Sequence, residues 1–367
     1  MYPTEVIIHL DALRRNFQDL QRHAGACELV PVIKSDAYGH GLAQVGVALL
    51  SAGAKRLAVF RLDEALALRQ AGVSAPVWVL LGALPHEAEK ALAPNLRLAC
   101  PHLAMARALS EVAVRRGATF HLHLTIDTGM GRLGFLPEEV PAAIAAITAL
   151  PGLRLCGAFS HLAKADDGEH PVTKAQIAHF KNILPTLPPS CQENHLCASV
   201  AWLNRRFPEL PFARPGICLY APAANADGSA VSTRSAMTLR TRLISVKDLP
   251  AGSTISYNCL RTLDRPSRVA IAPLGYDDGY LRRLSNSGTA LLRGQHAPIL
   301  GTVCMSMIML DVTDIPGAAL DDEAVFLGRQ DDQEITVHDL AARAGTVPHE
   351  ILCAIGRTAA NRRIYAD

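Results

Sequence analysis

The chain has 367 residues, of which 49% are hydrophobic and 19% are charged, and its 36 basic and 34 acidic residues leave a formal net charge of +2. This composition excludes a disordered protein, and a near-zero charge with only 5% aromatic residues argues against nucleic acid as a partner. No apolar run reaches the roughly 18 residues of a membrane span, no signal peptide is recognisable, and the nine cysteines are scattered without a CxxC pair. We expect a cytoplasmic protein of about two domains, with no membrane contact and no metal site.

The first nine residues are a predicted strand that could belong to either domain, followed by a helix that Asp11 could cap. From residue 28 to residue 217 short apolar runs alternate with stretches of helical spacing, such as 62–70 and 103–116. The apolar runs, which we predict to be strands, are 28–34, 56–60, 77–82, 97–100, 120–127, 153–161, 195–199 and 212–217. Eight such units in about 190 residues indicate a closed parallel (β/α)8 barrel of the TIM type and not an open doubly wound sheet.

After residue 232 the pattern changes to longer β-rich segments that Gly and Pro separate. Only the segments 337–345 and 349–356 have helical spacing there. We therefore predict an α/β barrel domain over residues 1–232 and a mostly β C-terminal domain over residues 233–367.

Polar residues stand at the carboxyl ends of five predicted barrel strands, where the βα loops of such a barrel form its active site. They are Lys34, Arg132, His161, Ser199 and Arg214. Each has an ordinary alternative: a surface lysine, a structural arginine, a core histidine or a helix cap. A common ligand explains all five at once, because unrelated surface residues need not select the same end of five strands.

The eighth run suggests the chemistry of that ligand. The turn at Pro215, Gly216 and Ile217 lets backbone N–H groups approach an anion, and Ser199 on the neighbouring strand adds a hydroxyl, which matches the usual phosphate position of such barrels. A lysine on the opposite side, able to form a Schiff base with an aldehyde, makes pyridoxal 5′-phosphate the simplest ligand. On these residues alone, a phosphosugar aldolase stays open.

Seven segments resemble, in order along the chain, motifs of the alanine racemase family. They are PVIKSDAYGHG (31–41), DTGMGRLG (127–134), FSHLAKAD (159–166), RPGICLYA (214–221), SY (256–257), GYDDGY (275–280) and GTVCM (301–305). The resemblance covers essentially the whole chain. It implies a homodimeric, pyridoxal-phosphate-dependent isomerase with shared active sites, which interconverts L-alanine and D-alanine and supplies D-alanine for peptidoglycan.

The same resemblance implies roles for individual residues. The residues that it places at the cofactor are Lys34, Tyr38, Arg132, His161, Ser199, Arg214, Gly216 and Ile217. Lys34 holds the cofactor, Arg214 faces its pyridine nitrogen, and Arg132 also reaches the substrate carboxylate. In the β domain, Tyr257 is a second catalytic base delivered by the partner subunit, Met305 offers a backbone contact to the substrate, and Tyr280 lies near the entrance.

Racemisation requires that the α-proton be removed on one face and returned on the other, which a lysine and a tyrosine on opposite faces achieve. Lysine suits this role because its pKa falls readily when it is desolvated among cations. A noncatalytic pyridoxal-phosphate-binding barrel is disfavoured, since such proteins resemble only the barrel. A decarboxylase of related architecture is also disfavoured, since we find no matching metal or thiol motif in the β domain.

Five positions depart from the family pattern. Thr125 stands where many members have a carbamylated lysine. Asp36 and Ala198 each replace an asparagine, and Ser306 replaces an aspartate. Arg357 stands about where some members place a phosphate-binding tyrosine. These positions surround the expected pocket, so that the changes bear on which substrate is bound more than on which reaction takes place. The alternative is a racemase of the same build that acts on serine, lysine or several amino acids.

Overall fold

The structure is a computed structural model that describes residues 4–204, 209–224, 230–231, 233–358 and 363–367. Its right-handed helices are Leu10–Ala24, Leu42–Ser51, Leu62–Gln70, Leu103–Arg116, Val140–Thr148, Pro171–Ile183, Ser199–Leu203, Val337–Ala344 and Pro348–Thr358. Its strands are β1 (Glu5–His9), β2 (Glu28–Leu29), β3 (Leu57–Val59), β4 (Val77–Val79), β5 (Leu96–Cys100), β6 (Phe120–Thr125), β7 (Leu153–Phe159), β8 (His195–Ala198), β9 (Phe212–Arg214), β10 (Ala223–Ala224), β11 (Ala230–Val231), β12 (Met237–Arg242), β13 (Ser245–Leu249), β14 (Thr254–Ile255), β15 (Arg261–Thr262), β16 (Ser267–Ala272), β17 (Thr289–Leu292), β18 (Gln295–Leu300), β19 (Ile308–Asp311), β20 (Glu323–Gln330), β21 (Gln333–Ile335) and β22 (Arg363–Ala366).

Strands β2 to β9 form the predicted barrel. They lie parallel in the order β2-β9-β8-β7-β6-β5-β4-β3. A parallel bridge between Val32 and Ala58 joins the two outer strands, where Ala58 N donates to Pro31 O and Ile33 N donates to Ala58 O, both at 2.8 Å. The sheet thus closes on itself, and the predicted (β/α)8 barrel followed by a β domain is confirmed.

Local sequence explains the helices that surround the barrel. The helix Leu103–Arg116 begins at His102, whose ring accepts a hydrogen bond from Met105 N, and it ends at Gly117 in the left-handed conformation. Between β4 and β5 the described chain makes only two short 3-10 turns, Pro85–Glu87 and Lys90–Leu92. The barrel is therefore less regular there than the sequence rhythm predicts.

The C-terminal domain is built on a second, largely antiparallel sheet. Its strands run in the order β13-β16-β19-β18-β17-β20-β12-β1-β22, and β21 pairs with β20. The first strand of the chain, which the sequence left unassigned, therefore lies in this sheet, antiparallel to β12 and parallel to β22. The boundary between the two domains at residue 232 stays a prediction.

Within the described residues, no helix is both long and apolar enough to cross a membrane.

A buried ionic network closes the amino-terminal end of the barrel, opposite the polar strand ends. The Glu193 carboxylate accepts hydrogen bonds from Arg56 Nη1 at 2.9 Å, Arg97 Nε at 3.2 Å and His123 Nε2 at 2.8 Å, and His123 Nδ1 lies 3.0 Å from His195 Nε2. Burial lowers the pKa of both histidines, so that Arg56 and Arg97 balance the charges of Glu193 and of Glu28, which lies 2.7 Å from Arg56 Nε. Burial opposes ionisation of Glu193, but its hydrogen bond from His123 and the arginine charges lower its pKa to about 2.

We expect the substitution Glu193→Gln to lower the free energy of unfolding by about 3 kcal/mol at pH 7, because it leaves the partly buried Arg97 without its counter-charge, while Arg56 keeps its ion pair with Glu28. Urea denaturation measures this loss. The loss should shrink as the pH falls from about 4.5 toward about 2, since a carboxylate with a depressed pKa stabilises the fold only while it is ionised.

The matched control is Glu89→Gln, because Glu89 also bridges two arginines, Arg115 and Arg116, but on the surface. This control should change stability little. Equal losses in the two variants would show that the buried network contributes no more than a surface ion pair.

Candidate active site

A cavity of about 410 Å³ opens at the carboxyl ends of the barrel strands. It is lined by all eight barrel residues that the sequence analysis selected: Lys34, Tyr38, Arg132, His161, Ser199, Arg214, Gly216 and Ile217. Phe60, Thr125 and His349 line it as well. Phe60 ends the predicted strand 56–60, but it was passed over because the sequence analysis selected only polar residues at the strand ends. His349 comes from the C-terminal domain, which the barrel pattern does not include.

Lys34 begins a single turn of left-handed helix. The residues Ser35, Asp36, Ala37 and Tyr38 all have φ between 53° and 56°, a conformation that costs about 1–2 kcal/mol for each residue with a Cβ. Contacts with the rest of the molecule must therefore hold the turn. One of them is the hydrogen bond from Ser35 N to Glu64 Oε1, at 2.5 Å.

The environment of Lys34 lowers the pKa of its amine. Burial lowers its pKa, and the positive charges of Arg132 and Arg214 lower it further, against the smaller opposing influence of Glu64. Its Nζ lies 5.7 Å from the ring centroid of Phe60. A neutral amine is the form that can attack a carbonyl carbon or accept a proton.

Tyr38, Ser199 and Gly216 together line one recess of the cavity. Gly216 N donates to Ser199 Oγ at 2.8 Å, and Tyr38 stacks on Tyr220 with ring centroids 4.7 Å apart. A Cβ on Gly216 would lie 2.4 Å from the Tyr38 hydroxyl oxygen and 3.8 Å from Ser199 Oγ. A side chain at this position would therefore displace the Tyr38 hydroxyl from the recess.

We expect the substitution Gly216→Ala to weaken binding of pyridoxal 5′-phosphate to the apoprotein by about tenfold, which corresponds to about 1.4 kcal/mol. The added methyl group displaces the Tyr38 hydroxyl and takes the space of an anion. Absorbance titration measures the dissociation constant. Titration with pyridoxal, which lacks the phosphate, is the control and should show a much smaller change, whereas an equal change would place the phosphate elsewhere.

Arg214 is buried beneath the cavity. Its Nη2 donates to Ser160 O at 2.7 Å and to Leu196 O at 2.8 Å, and its guanidinium carbon lies 5.1 Å from the ring centroid of Phe159. Among the described residues, its Nε has no hydrogen-bond partner. Burial and the charge of Arg132 lower the pKa of Arg214 to about 10, so that it stays charged at neutral pH. It thus offers an unused donor to a ligand.

His161 is a neutral ring beside these cations. Burial, together with the charges of Arg214, Arg132 and Lys34, lowers its pKa to about 3. A neutral imidazole can pack against a planar ligand without adding to the positive charge of the cavity.

Asp127 shapes the loop that carries Arg132. Its carboxylate accepts hydrogen bonds at 2.8–3.0 Å from the backbone N–H groups of Gly129, Met130, Gly131 and Arg132. Burial opposes its ionisation, but these amides lower its pKa below the ordinary value. The exposed Arg132 side chain is thereby held at the cavity rim. Sequence analysis missed this role, although an Asp ahead of two glycines is a typical turn signal.

The buried Thr125 hydroxyl, at the position where many members of the resembled family carry a lysine, has no hydrogen-bond partner among the described residues. It lines the same cavity as Arg132. The chain thus has no cation or anion of its own at this position.

Comparison with known proteins gives the family of this chain. The family described as "Alanine racemase, N-terminal domain" matches residues 8–223, and "Alanine racemase, C-terminal domain" matches residues 236–365. The chain belongs to the alanine racemase family. It is 39% identical to an alanine racemase of Syntrophobacter fumaroxidans, over 96% of this chain and 95% of that protein, and 39% identical to one of Carboxydothermus hydrogenoformans, over 97% and 98%.

Solved structures of alanine racemases have the same fold. The enzyme of Streptomyces lavendulae superposes with a TM-score of 0.91 at 30% identity, covering 100% of this chain and 98% of that one. The biosynthetic alanine racemase of Pseudomonas aeruginosa gives 0.90 at 30% identity, with complete coverage of both chains.

Two residues that the alanine racemase resemblance assigned to the site lie outside the cavity of this single chain. Tyr257 is 68% exposed and Met305 is 57% exposed, both on the β domain. Hydrogen bonds connect their loops, since Thr302 Oγ1 donates to Tyr257 O at 3.0 Å and Tyr276 N donates to Cys304 O at 3.1 Å. They form one surface that a single chain leaves open.

The place predicted for Tyr280 needs correction. Its side chain is 1% exposed, lies in the core of the β domain and packs edge-on against Phe326 with ring centroids 5.3 Å apart. Its phenol therefore reaches no substrate in the cavity. Tyr276, four residues earlier in the same motif, is exposed and is the tyrosine that an entrance could use.

Proposed function

We propose that this protein is an alanine racemase that uses pyridoxal 5′-phosphate and acts as a cytoplasmic homodimer in the supply of D-alanine for peptidoglycan. Membership of the alanine racemase family supports the reaction. The observation that carries the proposal is the cavity in which a partly buried amine, an anion recess and an unpartnered guanidinium N–H stand together. None of the nine cysteines forms a disulfide within the described residues, which suits a reducing compartment.

The residues of the cavity fit this cofactor. Lys34 would bind its aldehyde carbon, Tyr38, Ser199 and the Gly216 and Ile217 amides its phosphate, and the unpartnered Arg214 Nε its ring nitrogen. Bound there, pyridoxal 5′-phosphate stabilises negative charge at the substrate Cα. Arg214 keeps its proton because its pKa is about 10, so that it would donate a hydrogen bond to the ring nitrogen without protonating it. An unprotonated ring would stabilise the negative charge at Cα less strongly than a protonated one, and this weaker stabilisation would disfavour transamination.

The substrate would be bound through its negatively charged carboxylate. Arg132 at the rim and the Met305 backbone are the groups that we assign to the substrate carboxylate. The Lys34 amine, whose pKa is lowered by burial and by neighbouring cations, would take or return the Cα proton on one face. Tyr257 of a second copy does so on the other face.

An exposed apolar patch on the β domain supports the dimer. It consists of Tyr257, Leu260, Tyr276, Met305 and Met307, all at least 41% exposed. Apolar residues gathered in this way mark an interface, and in a two-fold dimer each patch would cover the cavity of the other chain. Both sites would then be complete.

The test is a panel of L-amino acids incubated with protein and cofactor in deuterium oxide, in which exchange at Cα and loss of chirality are followed. We expect alanine to be the best substrate, with measurable turnover of serine, because a small pocket rejects one added hydroxyl by only about 10²-fold. Lysine or arginine turned over faster than alanine by kcat/KM would overturn the assignment, and Ser306 and Arg357 would then be the residues to exchange.

A further inference from the structure

The C-terminal strand returns to the left-handed turn that carries Lys34. Arg363, the first residue of β22, forms an ion pair with Asp36, the third residue of the turn. The Arg363 side chain is 6% exposed and its Nη2 also donates to Gly356 O at 2.8 Å. Asp36 Oδ1 accepts a hydrogen bond from Leu42 N at 2.7 Å. One carboxylate thus connects the turn to the helix that follows it and to the end of the chain.

Close packing joins the same elements. A Cβ on Gly356, in the helix Pro348–Thr358, would lie 2.2 Å from Gly39 Cα. A Cβ on Gly41 would lie 2.1 Å from the Tyr365 hydroxyl in β22. The turn is therefore pressed between this helix and this strand, with no space for it to change shape.

Asp36 is in the middle of four consecutive left-handed residues. Aspartate tolerates this conformation better than most residues, but it cannot enforce it alone. Arg363 has few other partners, since its Nε is buried and unpartnered among the described residues. The buried charge of Arg363 therefore depends on Asp36 for its compensation, and the conformation of the turn depends on its ion pair with Arg363.

We propose that Arg363 is a positioning residue, which acts through Asp36 to hold the Lys34 amine and the Tyr38 hydroxyl at the separation that grips the two ends of one ligand. Lys34 opens the turn and Tyr38 is its fifth residue, so that unwinding the turn moves both. The inference rests on the proposed function, because that function makes the ligand pyridoxal 5′-phosphate.

The test is the affinity of the apoproteins for pyridoxal 5′-phosphate, together with peptide mapping after borohydride reduction. We expect Arg363→Met to weaken binding by about tenfold and to spread the trapped cofactor from Lys34 to other lysines. Arg363→Lys should restore most of the affinity, since an ammonium keeps the charge pair. Asp36→Asn should weaken binding in the same way as Arg363→Met. The double variant should bind pyridoxal 5′-phosphate no more weakly than the weaker-binding of the two single variants, because both changes remove the same interaction.

Arg240→Met is the matched control. Arg240 joins β1, β12 and β20 through ion pairs to Glu5 and Glu323 in the same sheet as β22, without touching the turn. We expect it to lower the melting temperature while leaving cofactor affinity and the trapped lysine unchanged. If Arg363→Met and Asp36→Asn behave like this control, Arg363 is only structural and the inference is overturned. Failure of the unmodified protein to bind the cofactor would instead overturn the proposed function.

Discussion

Replacing Lys34 with alanine should abolish racemisation, with a loss of about 10⁴-fold or more in kcat, because one change removes both the group that binds the cofactor aldehyde and one of the two bases. The absorption of the bound cofactor should disappear with it. The protein should stay folded, since the Lys34 side chain is only half-buried and the turn is held by other contacts.

Two measurements make this result decisive. Far-ultraviolet circular dichroism and thermal unfolding of the variant show whether the fold is intact. Borohydride reduction of the unmodified protein, followed by peptide mapping, shows which lysine carries the cofactor. Cofactor found mainly on another lysine would refute the assignment of Lys34.

Replacing Tyr257 with phenylalanine should lower racemisation by about 10²–10⁴-fold, the range that one positioned base contributes. The loss of proton abstraction should affect L-alanine and not D-alanine. Abstraction of the α-proton from L-alanine should be lost, while Lys34 still exchanges the α-proton of D-alanine with deuterium oxide. Nuclear magnetic resonance of each isomer separately measures the two exchange rates, and equal loss for both isomers would contradict a base on one face.

Mixing the two inactive variants tests whether Tyr257 acts across a dimer interface. In a mixed dimer of Lys34→Ala and Tyr257→Phe chains, one of the two sites combines the intact Lys34 of one chain with the intact Tyr257 of the other. Activity should therefore reappear after subunit exchange. If mixed dimers form and activity stays at the level of the separate variants, either Tyr257 is not the base or the dimer has another geometry.

The sequence predicted the barrel and the residues around its cavity because both follow from local patterns. Strand ends such as Lys34, His161 and Arg214 can be placed at one rim once eight parallel strands are recognised. It also predicted that Tyr257 belongs to another face of the site, through resemblance and not through any physical pattern in the chain.

Other features could not be predicted because they depend on contacts between distant residues. Nothing near Asp36 indicates that Arg363, 327 positions later, pairs with it. The left-handed turn has no glycine at its four central positions, so that local propensity argues against it. Tyr280 was misplaced because a motif gives the order of residues and not the direction of a side chain.

The position of β1 has a consequence for how the chain is made. This strand is synthesised before its partners β12 and β22, which follow more than two hundred residues later. The second sheet therefore cannot be completed until β12 and β22 have been synthesised, and pairings of such large sequence separation form slowly. For the same reason a fragment that begins after residue 232 would lack β1, leaving β22 without its neighbour and β12 with an exposed edge, and such an edge is prone to aggregate.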